Sequence, residues 1–569
     1  MPPAQQQYSR LAVEEDNDDD VRSSCSSSPD DSSDDDTQGD GSVFNADSPV
    51  SDITAPSITE EVLPMLKLAG PMSVSQLVHG FTQQVSIMML GHLGPEKLAA
   101  AVLATMFCNI TGVSVVLGGM SGVNTFMSQS FGAGNYPRIG HLLQRAIAIC
   151  TCLMLPISLL WVFGTGPALR WIGVEAGTSQ LSQDFARVYL AYLWPMLTTQ
   201  CIQCFLRSQG IVHPITILSF VGTGFNVPTM YFSISKFGFI GGPLGQVFGA
   251  WLLLVLYLLY FCCTGVHMRC WHGWSAEGLR EWQPLVKLGA GGTLSMVGLW
   301  WSWEIFFGIV GRLGTIPLAA HSCATNISFF YFSFISATTM SCSIRTAQHL
   351  GAGRTQHAIC SAQVPYYVLA PLMCVIWIVL MSLRSRFAYL YTDEPQIVEL
   401  AASILPIYLT YITLTAANFC FKARLDACGH QSKFAKVAMF SWYLVGIPCA
   451  AVGALLLQLG LESVWGGMVT GNLVSLCGMA RAGLRLDWAA ETQKALVAAR
   501  RKKIATAAVL SKPGMSRRYR DHEMVGSPPR AASQAAVVAM EAVMVHQHST
   551  PRGGHHQVQT DVEVDTMVS

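Results

Sequence analysis

The sequence predicts an all-α polytopic membrane protein with twelve transmembrane helices in two parallel six-helix repeats. Three observations carry this. The 569 residues are 51% hydrophobic and only 12% charged, against about a quarter charged in soluble domains. Apolar stretches long enough to cross about 30 Å of hydrocarbon, roughly 20 helical residues each, recur along the chain with short polar breaks. Short motifs of the first half then return in the same order, at an almost constant offset, in the second.

The expected spans are 64–90, 98–128, 141–164, 186–206, 213–235 and 241–264 in the first half. In the second they are 286–311, 316–344, 358–382, 396–421, 436–457 and 462–482. Several contain proline (Pro71, Pro195, Pro228, Pro371, Pro406, Pro448), which membrane helices tolerate where neighbours satisfy the freed backbone groups. Residues 1–60 hold Asp18-Asp19-Asp20 and Asp34-Asp35-Asp36 among few apolar side chains. They cannot bury enough surface to fold and are expected to be a disordered tail. The organisation that follows is lobe 61–264, an inter-lobe loop 265–283, lobe 284–484, and a tail 485–569 that is basic at Arg500-Arg501-Lys502-Lys503 and then disordered. The net charge of zero conceals an asymmetry: residues 1–61 carry 16 acids and two arginines, leaving 33 basic and 19 acidic residues in the remainder.

The internal repeat is the most informative feature. Gly91-His-Leu-Gly and Leu98-Ala-Ala return as Gly311-Arg-Leu-Gly and Leu318-Ala-Ala. Gln129-Ser-Phe-Gly-Ala-Gly134 returns as Gln348-His-Leu-Gly-Ala-Gly353, at a spacing that differs by a single position. Pro64 and Lys67 match Pro284 and Lys287, Leu206 and Gly210 match Leu425 and Gly429, and Val227-Pro228 matches Ile447-Pro448. Five ordered matches are not chance. Six helices per repeat make both halves enter from the same side, so an axis along the membrane normal relates them, with a substrate site expected at their interface. Two such bundles rocking on each other expose one cavity to alternate sides, which is the geometry of a carrier.

Lysine and arginine concentrate in the loops after even-numbered spans (Arg138, Arg207, Arg269, Arg345, Arg424) and in the C-terminal run. Positive loops stay inside, so both termini are expected in the cytoplasm. Most of the 17 cysteines sit singly in apolar stretches and read as packing residues. Walker A, GxSxG and HExxH patterns are missing from the sequence, so neither direct ATP drive nor hydrolase chemistry is indicated. No cofactor, metal or nucleic-acid partner is expected.

Glu304 is the one carboxylate well inside a predicted span. A charge at the bilayer centre costs about 2.5–3.5 kcal/mol on insertion scales, so such a group usually faces a cavity. Trp300 lies one turn before it on the same face, and a carboxylate beside an aromatic ring suits an organic cation. Asn326, Asn124, Gln129 and Gln348 are neutral polar groups in or near spans, available for a cavity or for helix–helix contacts. Arg207, Arg345 and the Lys422/Arg424/Asp426 group, at helix ends, read as topology determinants or gating pairs.

These motifs resemble those of the multidrug and toxin extrusion (MATE) family over roughly residues 60–500. Gly91-His-Leu-Gly with Leu98-Ala-Ala is similar to its first loop, and Met127-Ser-Gln129-Ser-Phe-Gly132-Ala-Gly to its signature at the end of helix two. Trp300-Trp-Ser-Trp-Glu304 resembles the EWWxYE segment of eukaryotic members, and Arg345 with Leu350-Gly-Ala-Gly353 the segment after helix eight. The resemblance implies a two-lobed, V-shaped transporter that exports organic cations or other small metabolites in exchange for H⁺ or Na⁺. The sequence departs from the family at Leu299, Asn326, Thr415 and Asn124, where relatives carry carboxylates, so the coupling ion does not carry over. A monomer in a plasma or vacuolar/organellar membrane is expected. The alternatives are a lipid-linked substrate flippase of related two-lobe fold and a non-transport membrane receptor.

The charge pattern makes a direct prediction about topology. Epitope tags at either terminus are expected to react with antibody only in permeabilised cells; a tag that stains on intact cells overturns the orientation.

Overall fold

The computed structural model describes residues 57–271 and 273–498, all within the unit Ser48–Ser569. The acidic run up to residue 56 and the basic run Arg500–Lys503 lie outside the described residues. Twelve long helical rods follow one another: α1 (Ile58–Gly91), α2 (Pro95–Gly132), α3 (Tyr136–Trp171), α4 (Ala176–Ser208), α5 (His213–Phe237) and α6 (Gly241–Thr264). After the inter-lobe loop come α7 (Trp282–Gly311), α8 (Thr315–Gly351), α9 (Thr355–Ser382), α10 (Pro395–Ala427), α11 (Gln431–Leu456) and α12 (Leu461–Leu484). Each predicted span falls on one rod to within a residue.

Length and hydropathy alone qualify seven stretches as membrane-crossing, with the α5–α6 hairpin counted as one and α8 an eighth when its two segments, bent by 46°, are taken as one span. Rods α1, α4 and α12 are more polar, and their polar groups are spent between helices. Ser75 and Thr82 of α1 bond Ser219 and Thr223 of α5 at 2.8 and 2.9 Å. Gln183 of α4 donates to the Trp161 carbonyl of α3 at 2.7 Å, and Asn472 of α12 to the Tyr411 carbonyl of α10 at 3.0 Å. In hydrocarbon such groups must find protein partners, which glues the helices together.

Two separate apolar cores define two lobes. One is drawn from Leu90 to Cys270 with Leu285, the other from Phe306 to Met479. The sequence repeat is also a repeat of backbone conformation. Gly94 and Gly314, ahead of α2 and α8, have φ 107° and 112°, and Gly134 and Gly353, closing the turns after those helices, have φ 67° and 78°. These are left-handed conformations that a side chain disfavours, which explains why glycine recurs there.

The lobes meet on the face that carries the start of α1 and the ends of α2, α4, α8 and α10, here the tail side. At this end α2 and α8 cross backbone to backbone. A Cβ on Gly132 would overlap the Gln348 carbonyl oxygen, and one on Gly351 would overlap that of Gln129. Two symmetry-related seams flank the crossing. Gly118 and Gly122 of α2 lie on the backbone of α7 at Gly292–Thr293 and Leu288–Gly289. Leu68 and Met72 of α1 pack with Ala337 and Met340 of α8.

The inter-lobe loop is bound to lobe one. Gln144 of α3 accepts from the Ser275 amide at 3.1 Å and donates to the Gly273 carbonyl, while Arg145 donates to the Gly278 carbonyl at 3.2 Å. Contrary to the expectation for region 485–569, residues 488–498 form an ordered helix. Trp488, Thr492 and Ala495 share one face; Ala495 packs with Leu350, Ala358 and Cys428, and Thr492 accepts from the Thr355 hydroxyl at 3.0 Å. A bare count of basic residues overlooked this stripe.

The crossing is testable by volume. Gly132→Val and Gly351→Val are each expected to lower stability by about 1–3 kcal/mol or more, as overpacking does. Gly224→Ala, where a Cβ meets nothing within 4 Å, is expected to be neutral or stabilising. Thermal unfolding in detergent measures all three.

Candidate functional site

The face of α7 that touches lobe one can be followed residue by residue. Gly289 lies against Gly119 of α2, and the Thr293 hydroxyl donates to the Val115 carbonyl at 3.0 Å. Helical steps of four and three carry this face through Val297 and Trp300 to Glu304, about 16 Å further along the axis. Trp301 still reaches across, its indole N–H 3.5 Å from the Ile110 carbonyl of α2. Glu304 and Trp300 are half-buried, and among the described residues no protein group hydrogen-bonds the Glu304 carboxylate. Asn326 of α8 is exposed and ends the first segment of that helix, ahead of a 46° bend. The register of α7 therefore puts Trp300 and Glu304 on the stripe that continues past its contact with lobe one.

Behind them stands an aromatic wall in lobe two. Trp303 packs edge-on against Tyr411 at 5.8 Å, and Tyr411 touches Trp465 at 5.7 Å. Trp465 meets Tyr408 at 5.0 Å, and the Tyr408 and Tyr331 hydroxyls pair at 2.7 Å. Deeper in the lobe, Asn472 donates to the Thr415 hydroxyl at 2.7 Å and Asn418 donates to the Asn472 side-chain oxygen at 2.6 Å. Ser475 donates to Asn418 at 3.1 Å. Thr415 thus belongs to a neutral, fully bonded network that binds α10 to α12.

The remaining sequence candidates sit at the lobe contact. Gln129 donates to the Ala427 carbonyl and Gln348 to the Ser208 carbonyl, both at 2.9 Å. Gln348 follows Gln129 at the repeat spacing, and Ala427 follows Ser208 at the same spacing, so the two bonds are one bond made twice. Each satisfies a carbonyl in the last turn of a helix (α10 and α4), which has no intrahelical partner. Both glutamines are helix–helix ties across the lobes. Thr125 adds a bond to the Asp426 carbonyl at 2.7 Å. Asn124 is buried, and its side-chain oxygen has no hydrogen-bond partner among the described residues.

One buried ionic cluster was missed by the sequence reading. Glu61, counted there with the acidic tail, is buried at 5% exposure in the first turn of α1, ahead of the span 64–90. Arg345 of α8 grips its carboxylate with Nη2 at 2.8 and 2.9 Å and Nε at 3.2 Å. His349 of α8 lies 3.1 Å away, and Ser361 of α9 donates at 2.9 Å. Burial pushes the Glu61 carboxyl upward, but the His349 hydrogen bond and the Arg345 charge pull harder and hold it at about 2. A depressed carboxyl contributes stability above its ordinary value of 4.5, lost only as pH falls through about 2. The Glu61 carboxylate is therefore ionised at every physiological pH. The repeat held a signal for it: Glu281 follows Glu61 at the repeat spacing, extending the Pro64/Pro284 match backward by one turn.

With this geometry in hand, comparison with known proteins is decisive. The MatE family model matches residues 71–232 and 293–452, one copy per lobe and together more than half the chain. The chain belongs to the MatE family. Multidrug and toxin extrusion protein 2 of Oryctolagus cuniculus is 28% identical over 440 residues, 76% of this chain and 73% of the relative. Protein DETOXIFICATION 16 of Arabidopsis thaliana is 28% identical over 443 residues, covering 77% and 91%. The crystal structure of the eukaryotic MATE transporter AtDTX14 superposes with a TM-score of 0.73 at 23% identity, over 78% of this chain and 99% of that one. The two-lobed MatE fold is thereby shown, as is an integral multi-pass transporter of the extrusion type.

The glutamine ties allow a symmetric test within this MatE protein. Gln129→Leu and Gln348→Leu each strand a helix-terminal carbonyl and are expected to cost about 1–3 kcal/mol, with matching losses in thermal unfolding. Loss at one position only would refute the equivalence.

Proposed function

We propose that this MatE protein is a secondary antiporter that exports organic cations or similar small metabolites against H⁺ or Na⁺ by alternating access. The observation that carries this reading is Glu304, a half-buried carboxylate with no hydrogen-bond partner among the described residues, on the stripe of α7 that faces lobe one. A carboxylate held without a partner needs a cation. Trp300, one turn away, offers a ring face worth about 2 kcal/mol to a desolvated organic cation. The neutral side chain of Asn326 can orient a bound solute by hydrogen bonding. If proton and substrate cation occupy Glu304 in turn, each displaces the other, and that competition is antiport.

The positive-inside pattern supports a cytoplasmic location for both termini, in a plasma or organellar membrane. On that reading the lobes are closed toward the cytoplasm, and the site waits on the opposite side. A single chain holds both lobes and the whole site, consistent with a working monomer.

Full-length protein in liposomes tests the mechanism under separate H⁺ and Na⁺ gradients. For one-to-one exchange with a monovalent cation, one pH unit supplies about 1.4 kcal/mol, a tenfold accumulation. Glu304→Gln keeps the volume and removes the charge, and is expected to abolish ion-driven efflux while the protein still folds. Efflux from the Gln variant at the wild-type rate excludes Glu304 as the coupling group.

A further inference from the structure

We propose that Glu61, Arg345, His349 and Ser361 form the lock of the tail-side gate, made and broken once in every transport cycle. The inference rests on the alternating-access reading above and adds the residues that alternate. Glu61 belongs to lobe one, while every group that bonds its carboxylate belongs to lobe two, from both α8 and α9. Separation of the lobes at this end strips the carboxylate of all its protein partners together. The ion pair is buried on both sides, with the Arg345 and Glu61 side chains 14% and 7% exposed.

The lock caps a layered plug. One turn inward, Met65 of α1 seals onto Cys342 of α8, Val364 of α9 and Ala423 of α10. A turn further, Leu68 and Met72 close on Ala337 and Met340, and then Ser336 donates to Gln76. From Glu61 to Gln76 the closure runs along fifteen residues, about 22 Å of α1. The pseudo-symmetric position is built differently. Glu281 lies in the field of Arg138 and Arg145 of α3 but is exposed. It also adopts φ 57°, a strained conformation for a glutamate.

The energetics suit a gate rather than a static clamp. A buried pair gains little over two hydrated ions, so an opening that lets water reach both partners is reversible. Removing one partner is different, because it leaves the other charged and buried in the closed state. Single neutralising variants must therefore favour the open tail side, and replacing both partners by apolar residues must restore closure. His349 and Ser361 hydrogen-bond Glu61, and His357 packs against His349 at 5.4 Å. Arg345 supplies the balancing positive charge. Because burial is outweighed by the His349 hydrogen bond and the Arg345 charge, leaving Glu61 ionised across physiological pH, protonation of this carboxylate is not what opens the gate.

Cys342, fully buried beneath Met65, is a native reporter. Full-length protein in detergent is exposed to a small maleimide without substrate or ion gradient, and Cys342 modification is followed by peptide mass spectrometry. Glu61→Gln and Arg345→Gln are each expected to raise the labelling rate at least tenfold, and Glu61→Leu combined with Arg345→Met to return it to the wild-type rate or below. Folded single variants with Cys342 still protected overturn the proposal. Should those variants not fold, Leu68→Cys with Ala337→Cys, which pair across the same closure and leave Glu61 and Arg345 intact, bridged by a short reducible bis-thiosulfonate, decides the matter. Bridging is expected to stop turnover in liposomes and reduction to restore it; undiminished turnover in bridged protein overturns the lock. Because the labelling assay involves no ion or substrate, its result is independent of whether Glu304 is the coupling carboxylate.

Discussion

The close crossing of α2 and α8 is the constraint from which the rest of the architecture follows. Two glycines, Gly132 and Gly351, let the backbones touch, and two glutamines fix the contact by bonding the last carbonyls of α10 and α4. In a bilayer, where apolar surface gains nothing by leaving lipid, close packing and hydrogen bonds of this kind are what hold helices together. Once α2 and α8 cross here, α7 must lie along α2 and α1 along α8. The stripe of α7 that continues past its seam then carries Trp300 and Glu304.

The repeat preserved the joint and let the chemistry diverge. Turn glycines, tie glutamines and tie carbonyls all recur at the spacing that separates the two halves. The positions matching Trp300 and Glu304 in lobe one are Gly80 and Gln84, which offer neither an aromatic face nor a charge. Thr415, Asn418 and Asn472 form a neutral network in lobe two that binds α10 to α12. The joint between the lobes is thus symmetric, and the aromatic and acidic stripe of α7 is not.

Charge is used in two distinct ways at the two ends of the lobe interface. Glu61 is surrounded by donors and held far below the titration range of a cell, which suits a contact that must persist until the lobes move. Glu304 has no hydrogen-bond donor among the described residues, which leaves its charge to be met by whatever enters. The two carboxylates thus differ in how far protein donors satisfy them, and a buried carboxylate is costly unless it is so satisfied.

The twelve rods, the two lobes and the singular carboxylate were all determined by the sequence itself. Hydropathy, helical register and internal repetition are local or self-referential properties, and a lone Glu304 in an apolar run needs no partner to stand out. Tertiary structure decided what depends on partners far along the chain. Glu61 follows Glu60 at the end of an acidic tail and reads as solvated, yet Arg345 lies 284 residues away and buries it. Gln129 and Gln348 read equally as cavity or contact groups until the crossing placed each beside a helix-terminal carbonyl of the opposite lobe. Residues 488–498 read as tail until the loops after α8 and α10 came together to receive Thr492 and Ala495. A sequence pattern fixes which surface a helix buries, but only the docking of one lobe on the other fixes which polar groups that burial brings into hydrogen-bonding reach.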